Sequence, residues 1–286
     1  MRKYYTRACN FYHGLQAQKL IKKKLALPLC GNKNLAFDHI EILSRDKKNK
    51  LVHIKKINLL EKKLKIIIQY DIKKIIQKRQ NLSKNLKFSE PLIMGVLNLT
   101  PDSFSDGGQF NKTHKAFSHI KNMIDKGANI IDVGGESTRP GSKYVSSQIE
   151  WKRLKKVVTE FKKKHPKIFL SIDTRKSEVM IKAIKNKSDL INDVSGFSYD
   201  LEAIDKIKDF NVWKVLHHMQ GTPNTMQINP KYKNVLLDIY DFFEKKLDVD
   251  FKKFKYKKFI IDPGIGFGKN LKHNLILMNK ISLFHS

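Results

Sequence analysis

From residue 91 onward, short apolar runs alternate with longer stretches of mixed character. The runs are PLIMGVLN (91–98), NIIDVGG (129–135), FLSIDT (169–174), LINDVSG (190–196), VWKVLHHM (212–219) and KFIIDPG (258–264). Each has the length of a strand buried on both faces. Between them, SSQIEWKRLKKVVTEFKKKH (146–165) and KNVLLDIYDFFEKKLDVDF (233–251) carry apolar residues at helical spacing. The alternation predicts parallel strands joined by crossover helices.

Each run also ends at or near polar side chains: Asn98, Asp132, Asp173, Asn192 with Asp193, the pair His217 and His218, and Asp262. A parallel barrel gathers the C-terminal ends of its strands on one rim and builds its site from the loops that follow. An open doubly wound sheet also binds at strand carboxyl ends, but neither a GxGxxG nor a P-loop is present. The expected fold class is therefore α/β, a parallel barrel with a polar mouth.

Residues 1–90 read differently. AFDHIEILSRD (36–46) and NKLVHIKKI (49–57) predict a hairpin. LEKKLKIIIQYDIKKIIQKRQNL (60–82) suits a helix, although its IIIQY segment also has strand character. The expected organisation is an N-terminal α+β extension over 1–90, of unassigned role, and a barrel domain over 91–286.

The loops carry the candidate chemistry. NLTPDSFSDGG (98–108) offers the amide oxygen of Asn98, a hard-cation ligand type. It adds charge at Asp102 and Asp106 and one aromatic face at Phe104, with Gly107 and Gly108 to bend the chain. Such a loop can close over a substrate. In GGESTRPG (134–141), Gly134 and Gly135 permit close backbone approach. Thr138 and Arg139 can bind an anion, Arg139 through two parallel hydrogen bonds, and Pro140 stiffens the end. Asp132, Asp173, Asn192, Asp193 and Asp262 converging in one mouth are costly unless something pairs with them. An amino-pyrimidinone edge does so, because a carboxylate accepts two parallel N–H bonds from it. An aspartate-only metal cluster is less typical. His217 and His218 are adjacent on a strand and face opposite sides, so they cannot share one centre. Met219 reads as an apolar wall, and Lys269 in DPGIGFGK (262–269) lies within reach of anions.

Bulk properties add little. The 286 residues are 41% hydrophobic, and no apolar run approaches the ~20 residues of a membrane span. The net charge of +30 would suit nucleic acid. However, the lysines are spread along the whole chain without a zinc-finger or RNA-binding signature, so a nucleic-acid partner is not expected. Cys9 and Cys30 lack metal-ligand spacing, and a reducing cytoplasm is the expected compartment. Residues 1–37 contain no acidic residue, as in organellar leaders, but Tyr4, Tyr5, Phe11 and Tyr12 resemble folded-domain material.

In combination, IMGVLNLTPDSFSDGG, GANIIDVGGESTRPGS, SIDTRK, INDVSG, HMQGTP and DPGIGFGKN resemble the dihydropteroate synthases, in that family's order. The resemblance implies a (β/α)8 TIM barrel that condenses p-aminobenzoate with 6-hydroxymethyl-7,8-dihydropterin diphosphate and releases diphosphate. By motif, Asn98 ligates Mg2+. Asp173, Asn192 and Asp262 hold the pterin, and Asp132 lines the same pocket. Thr138 and Arg139 lie at the diphosphate, Phe104 and Pro140 clamp the p-aminobenzoate ring, and Asp106 supports the closed state. Asp106, Asp132 and Asp173 are the expected catalytic set.

The sequence departs from the family in two ways. Residues 91–286 fall short of the ~250 residues of a full barrel. About six strands are expected, with the last two βα units, the Ser-Arg-Lys and Arg-x-His motifs and the family's dimer helices lacking a counterpart. Low activity of this chain alone is therefore expected. His217 stands where the family usually has an apolar residue. Two rival readings are a pterin-dependent methyltransferase, which would not need both long loop motifs, and a basic nucleic-acid or membrane-binding module in residues 1–90.

Overall fold

In the computed structural model, which describes residues 3–88, 90–100, 109–137 and 144–286, the N-terminal stretch forms an antiparallel sheet with two helices. β1 (Tyr5–His13) leads through α1 (Gly14–Lys22) to β2 (Leu27–Leu29), β3 (Asn32–Leu43) and β4 (Lys50–His53). A 3-10 turn (Ile54–Leu59) and α2 (Lys62–Ile76) follow. β3 is the spine, paired with β1 on one edge and with β2 and then β4 on the other. The expected hairpin is β3–β4, in register at Ile40 and Val52. Within residues 60–82, Lys62–Ile76 form a helix that includes the IIIQY segment, not a strand. Ile68, Asp71, Ile72 and Ile75 are buried at helical spacing, and the isoleucines join Ala8, Ile40, Ile42 and Val52 in one core. β1 was not anticipated. Tyr5, Thr6, Ala8 and Cys9 are all buried, so the strand shows no alternation to read.

This unit also gathers residues 232–241 and 275–286. Arg45 forks onto them, Nη1 donating to Asp238 and Nη2 to Asp241, each at 2.7 Å. Tyr5 donates its hydroxyl to Asp241 at 2.8 Å. Lys280 pairs with Glu41 at 2.8 Å.

The second unit comprises residues 90–231 and 242–274. Its six parallel strands are β5 (Met94–Asn98), β6 (Ile130–Gly134), β7 (Phe169–Asp173), β8 (Leu190–Asp193), β9 (Trp213–His217) and β10 (Phe259–Asp262). The helices α3 (Gln109–Asp125), α4 (Ser147–Lys164), α5 (Ser177–Lys185), α6 (Ala203–Ile207), α7 (Val235–Val249) and α8 (Leu271–Asn279) alternate with them. Sheet order equals chain order, so each strand lies beside its predecessor. That is the winding of a TIM barrel, and six of its eight strands are formed among the described residues.

The two faces of this sheet differ in chemistry. Ile131, Val133, Leu170, Ile172, Ile191 and Leu216 alternate onto one face and are all buried. Gly95 on that face leaves room for Met123 of α3. The apolar stripe of α4, Leu154, Val157, Val158 and Phe161, explains why that stretch is helical. Lys214 interrupts the apolar face. It is fully buried, its Nζ 4.6 Å from the Phe254 ring and 3.4 Å from the Phe210 carbonyl oxygen. Burial pushes this amine down to about 8. Among the described residues, no helix is long and apolar enough to cross a membrane.

Candidate active site

The other face is polar where the strands end. Asn98, Gly134, Asp173 and Asn192 are register neighbours across four strands, and Asp132 lies one step below, opposite Ser171. Side chains two apart on a strand share a face, so these residues converge. Asp132 accepts hydrogen bonds from Ser171 Oγ at 2.5 Å and Asn192 Nδ2 at 3.0 Å. Gly134 leaves an opening between two oxygens. A Cβ there would stand 3.2 Å from Asn98 Oδ1 and 3.3 Å from Asp173 Oδ2.

The two aspartates are not equivalent. Burial raises Asp132, while the donors Ser171 and Asn192 oppose the rise. Burial also pushes Asp173 well above the usual carboxylate range, reinforced by the neighbouring charge of Asp132. Asp132 has a donor on each oxygen, whereas Asp173 has no bonded donor among the described residues. The first proton taken up by the pair therefore goes to Asp173.

The remaining expected residues are placed as follows. Asp193 does not join the mouth, contrary to the sequence reading. It follows Asn192 on the same strand and so points to the opposite face, where it accepts from Ser195 Oγ at 2.6 Å and from the Ser195 and Phe197 amides. Burial raises it to about 6. Asp262 lies on the polar face of β10, its side chain 46% exposed, with Oδ1 accepting from the Gly264 amide at 2.8 Å. Asn98 is exposed, and Met219 is half-buried just past β9. His217 faces the mouth and His218 the other side, as alternation requires. Lys269, expected near anions, is instead buried. Its Nζ donates to the carbonyls of Phe267 at 2.7 Å and His218 at 3.2 Å. Phe104, Asp106, Thr138, Arg139 and Pro140 lie outside the described residues.

Residues 94–286 match the model of the family described as pterin binding enzyme. The dihydropteroate synthase of Escherichia coli K12 is 41% identical over 202 residues, which is 70% of this chain and 71% of that protein. The chain belongs to the dihydropteroate synthase family. Among solved members, the Yersinia pestis dihydropteroate synthase in complex with a sulfonamide drug superposes with a TM-score of 0.62 at 39% identity, over 71% of this chain and 74% of that one. The Burkholderia cenocepacia dihydropteroate synthase, solved with 7,8-dihydropteroate, gives 0.60 at 35% identity, over 69% and 67%.

One feature of this family member escaped the sequence reading. Lys176, just after β7, donates to Glu136 Oε2 at 2.7 Å and to Glu150 Oε2 at 2.6 Å. All three residues are buried, Glu150 completely. Arg175 adds two bonds to Glu136 and stacks over the Tyr199 ring at 4.1 Å. Burial alone would raise Glu136, but the bonds from Arg175 and Lys176 outweigh it and hold the carboxyl below the usual range. Glu136 Oε1 also accepts from the Val145 amide at 3.1 Å, and Arg153 donates to the Gly135 carbonyl at 2.7 Å. The loop after β6 is thus fastened at its base to α4 and to the turn after β7. Lys176 was visible in SIDTRK. Its partners stand 40 and 26 residues away, and no local pattern joins them.

Proposed function

We propose that the polar mouth holds the amino-pyrimidinone edge of a pterin, and that the chain catalyses the family reaction. That reaction condenses p-aminobenzoate with 6-hydroxymethyl-7,8-dihydropterin diphosphate to give 7,8-dihydropteroate and diphosphate. The observation that carries the reading is the Asp132–Asn192 hydrogen bond with Asp173 beside it on one face. These acceptors and one amide are buried enough to demand a ligand rich in N–H donors.

The donor set beside Gly134 fits Mg2+. The Asn98 amide oxygen is a hard ligand, exposed and open to water and diphosphate oxygens. Among the described residues no three His, Cys, Asp or Glu side chains cluster around a metal, so a closed protein cage is not the model. Asn98 would hold the ion, whose contribution when bound is to neutralise charge on the departing diphosphate. Departure of diphosphate leaves positive charge on the pterin methylene, which the Asp132 and Asp173 carboxyls stabilise. The aromatic amine then attacks, and its placement matters more than its deprotonation. Thr138 and Arg139 are assigned to the diphosphate, Phe104, Pro140 and Met219 to the p-aminobenzoate side, and Asp106 to loop closure. The two free thiols, Cys9 and Cys30, suit a reducing cytoplasm.

Binding is the decisive test, since it reads the polar mouth directly. Calorimetric titration of the full chain with a pterin should show saturable binding that Asp173→Asn weakens by at least about tenfold, the scale of a lost charge-assisted bond. Equal affinity of wild type and variant would remove Asp173 from the site.

A further inference from the structure

His217 and Asp262 are register partners on neighbouring strands and share the polar face. The imidazole is nearly sealed, 3% exposed. Its Nδ1 lies 2.8 Å from the Val194 carbonyl oxygen. A carbonyl only accepts, so Nδ1 carries the hydrogen. In the neutral ring Nε2 is then a bare lone pair, 4.0 Å from Asp262 Oδ2. Asp262 Oδ1 is already occupied by the Gly264 amide. Oδ2 has no bonded donor among the described residues and is the oxygen left for a ligand.

The ring is held where it is. Phe267 meets it edge-on at 4.8 Å. Gly264, at φ +67°, packs so closely that a Cβ would fall 2.9 Å from Nε2. The charged and polar groups facing the imidazole are Asp262 from β10, Lys269 from the loop after β10 and the Val194 carbonyl after β8. Burial holds the proton affinity of His217 below the ordinary histidine value. Asp262 and the Val194 carbonyl oppose this, and Lys269 adds to it.

While the ring is neutral, two lone pairs face each other and nothing draws Oδ2 inward. A proton on Nε2 reverses this. The new N–H donates to Oδ2 and forms a charge-assisted bond away from water. A ligand N–H then competes with the imidazolium for the same oxygen. We propose that His217 is a positioning residue for Asp262: uncharged, it leaves Oδ2 to the N–H donors of a pterin ring, and protonated, it takes that oxygen and weakens ring binding. The inference rests on the ring-binding function proposed above.

The test uses the full chain and pterin itself as the probe, with affinities measured from about pH 8 to about pH 5 for wild type and His217→Asn. Asparagine keeps a donor toward the Val194 carbonyl and has no group that titrates. At the alkaline end the two proteins should bind alike. At the acidic end wild type should lose affinity further than the variant, on the order of fivefold, the size of one typical hydrogen bond. Other carboxyls, such as Asp132 and Asp173, titrate in both proteins and cancel in the ratio. Parallel profiles overturn the role of His217 and leave ring binding standing. No binding by wild type at the alkaline end overturns the ring-binding function and this inference with it. Imidazole nitrogen resonances supply a readout that needs no variant. Saturating pterin must lower the protonation midpoint of His217, because linkage is reciprocal, and an unmoved midpoint overturns the proposal.

Discussion

Replacing Lys176 by methionine keeps the length of the side chain and removes its charge. Lys176 holds two carboxylates at 2.7 and 2.6 Å, and one of them, Glu150, is completely buried, with no hydrogen-bond partner for Oε1 among the described residues. Without the ammonium, Glu150 loses its bonded cation, and Glu136 keeps Arg175 and the Val145 amide. Breaking a buried pair by removing one partner costs about 3–5 kcal/mol. For a domain of this size each kcal/mol moves the melting point by about 2–4 °C, so a fall of roughly 6–20 °C is expected. Guanidinium unfolding followed by tryptophan fluorescence is a suitable assay, because Trp151 and Trp213 both lie in the barrel unit. The pH dependence adds a sign. In wild type, Glu136 is held low, so its contribution is present above the ordinary carboxylate pKa and lost as pH falls through the folded one. In the variant Glu136 keeps less of that contribution, so the deficit shrinks on acidification. A deficit below about 1 kcal/mol, or one that grows toward acid pH, would refute the view that Lys176 neutralises buried carboxylates.

Three further outcomes are expected. Gly264→Ala forces a Cβ to 2.0 Å from the His218 carbonyl oxygen at φ +67°, whereas Gly266→Ala, at φ +85° with open space around it, meets only backbone strain. The first should cost about 3 kcal/mol or more and the second about 1 kcal/mol, read from paired denaturation curves. Asn192→Leu removes the donor to Asp132 Oδ2. It should lower stability by about 1–2 kcal/mol and abolish calorimetric pterin binding. Arg45→Met strands Asp238 and Asp241. About 1–3 kcal/mol should be lost, and hydrogen exchange should quicken first in β1, whose Tyr5 shares Asp241.

The barrel strands were legible because each is mostly apolar and ends at or near a polar residue, and chain order sufficed to order the sheet. The mouth was legible as a list of residue types and only partly as a geometry. Asn192 and Asp193 were read as one group, although adjacent strand residues face opposite ways, the same rule that separated His217 from His218. β1 was hidden by burial on both faces. Lys214 could not be foreseen because Phe254, whose ring it faces, and Tyr256, whose carbonyl accepts from it, come from a distant part of the chain. The Glu136–Lys176–Glu150 cluster was hidden for the same reason.

The bond from the Val145 amide to Glu136 spans nine residues of sequence and ties the two ends of one loop together. A loop whose ends are already fixed behaves as a cassette. Its interior can lengthen, shorten or change composition at a closure cost that grows only slowly with length, while the strand before it and the helix after it keep their places. Variation that alters what this rim of the barrel accepts can therefore accumulate between residues 136 and 145 without disturbing the sheet, and grafting the corresponding segment from a relative is a practical route to retuning it.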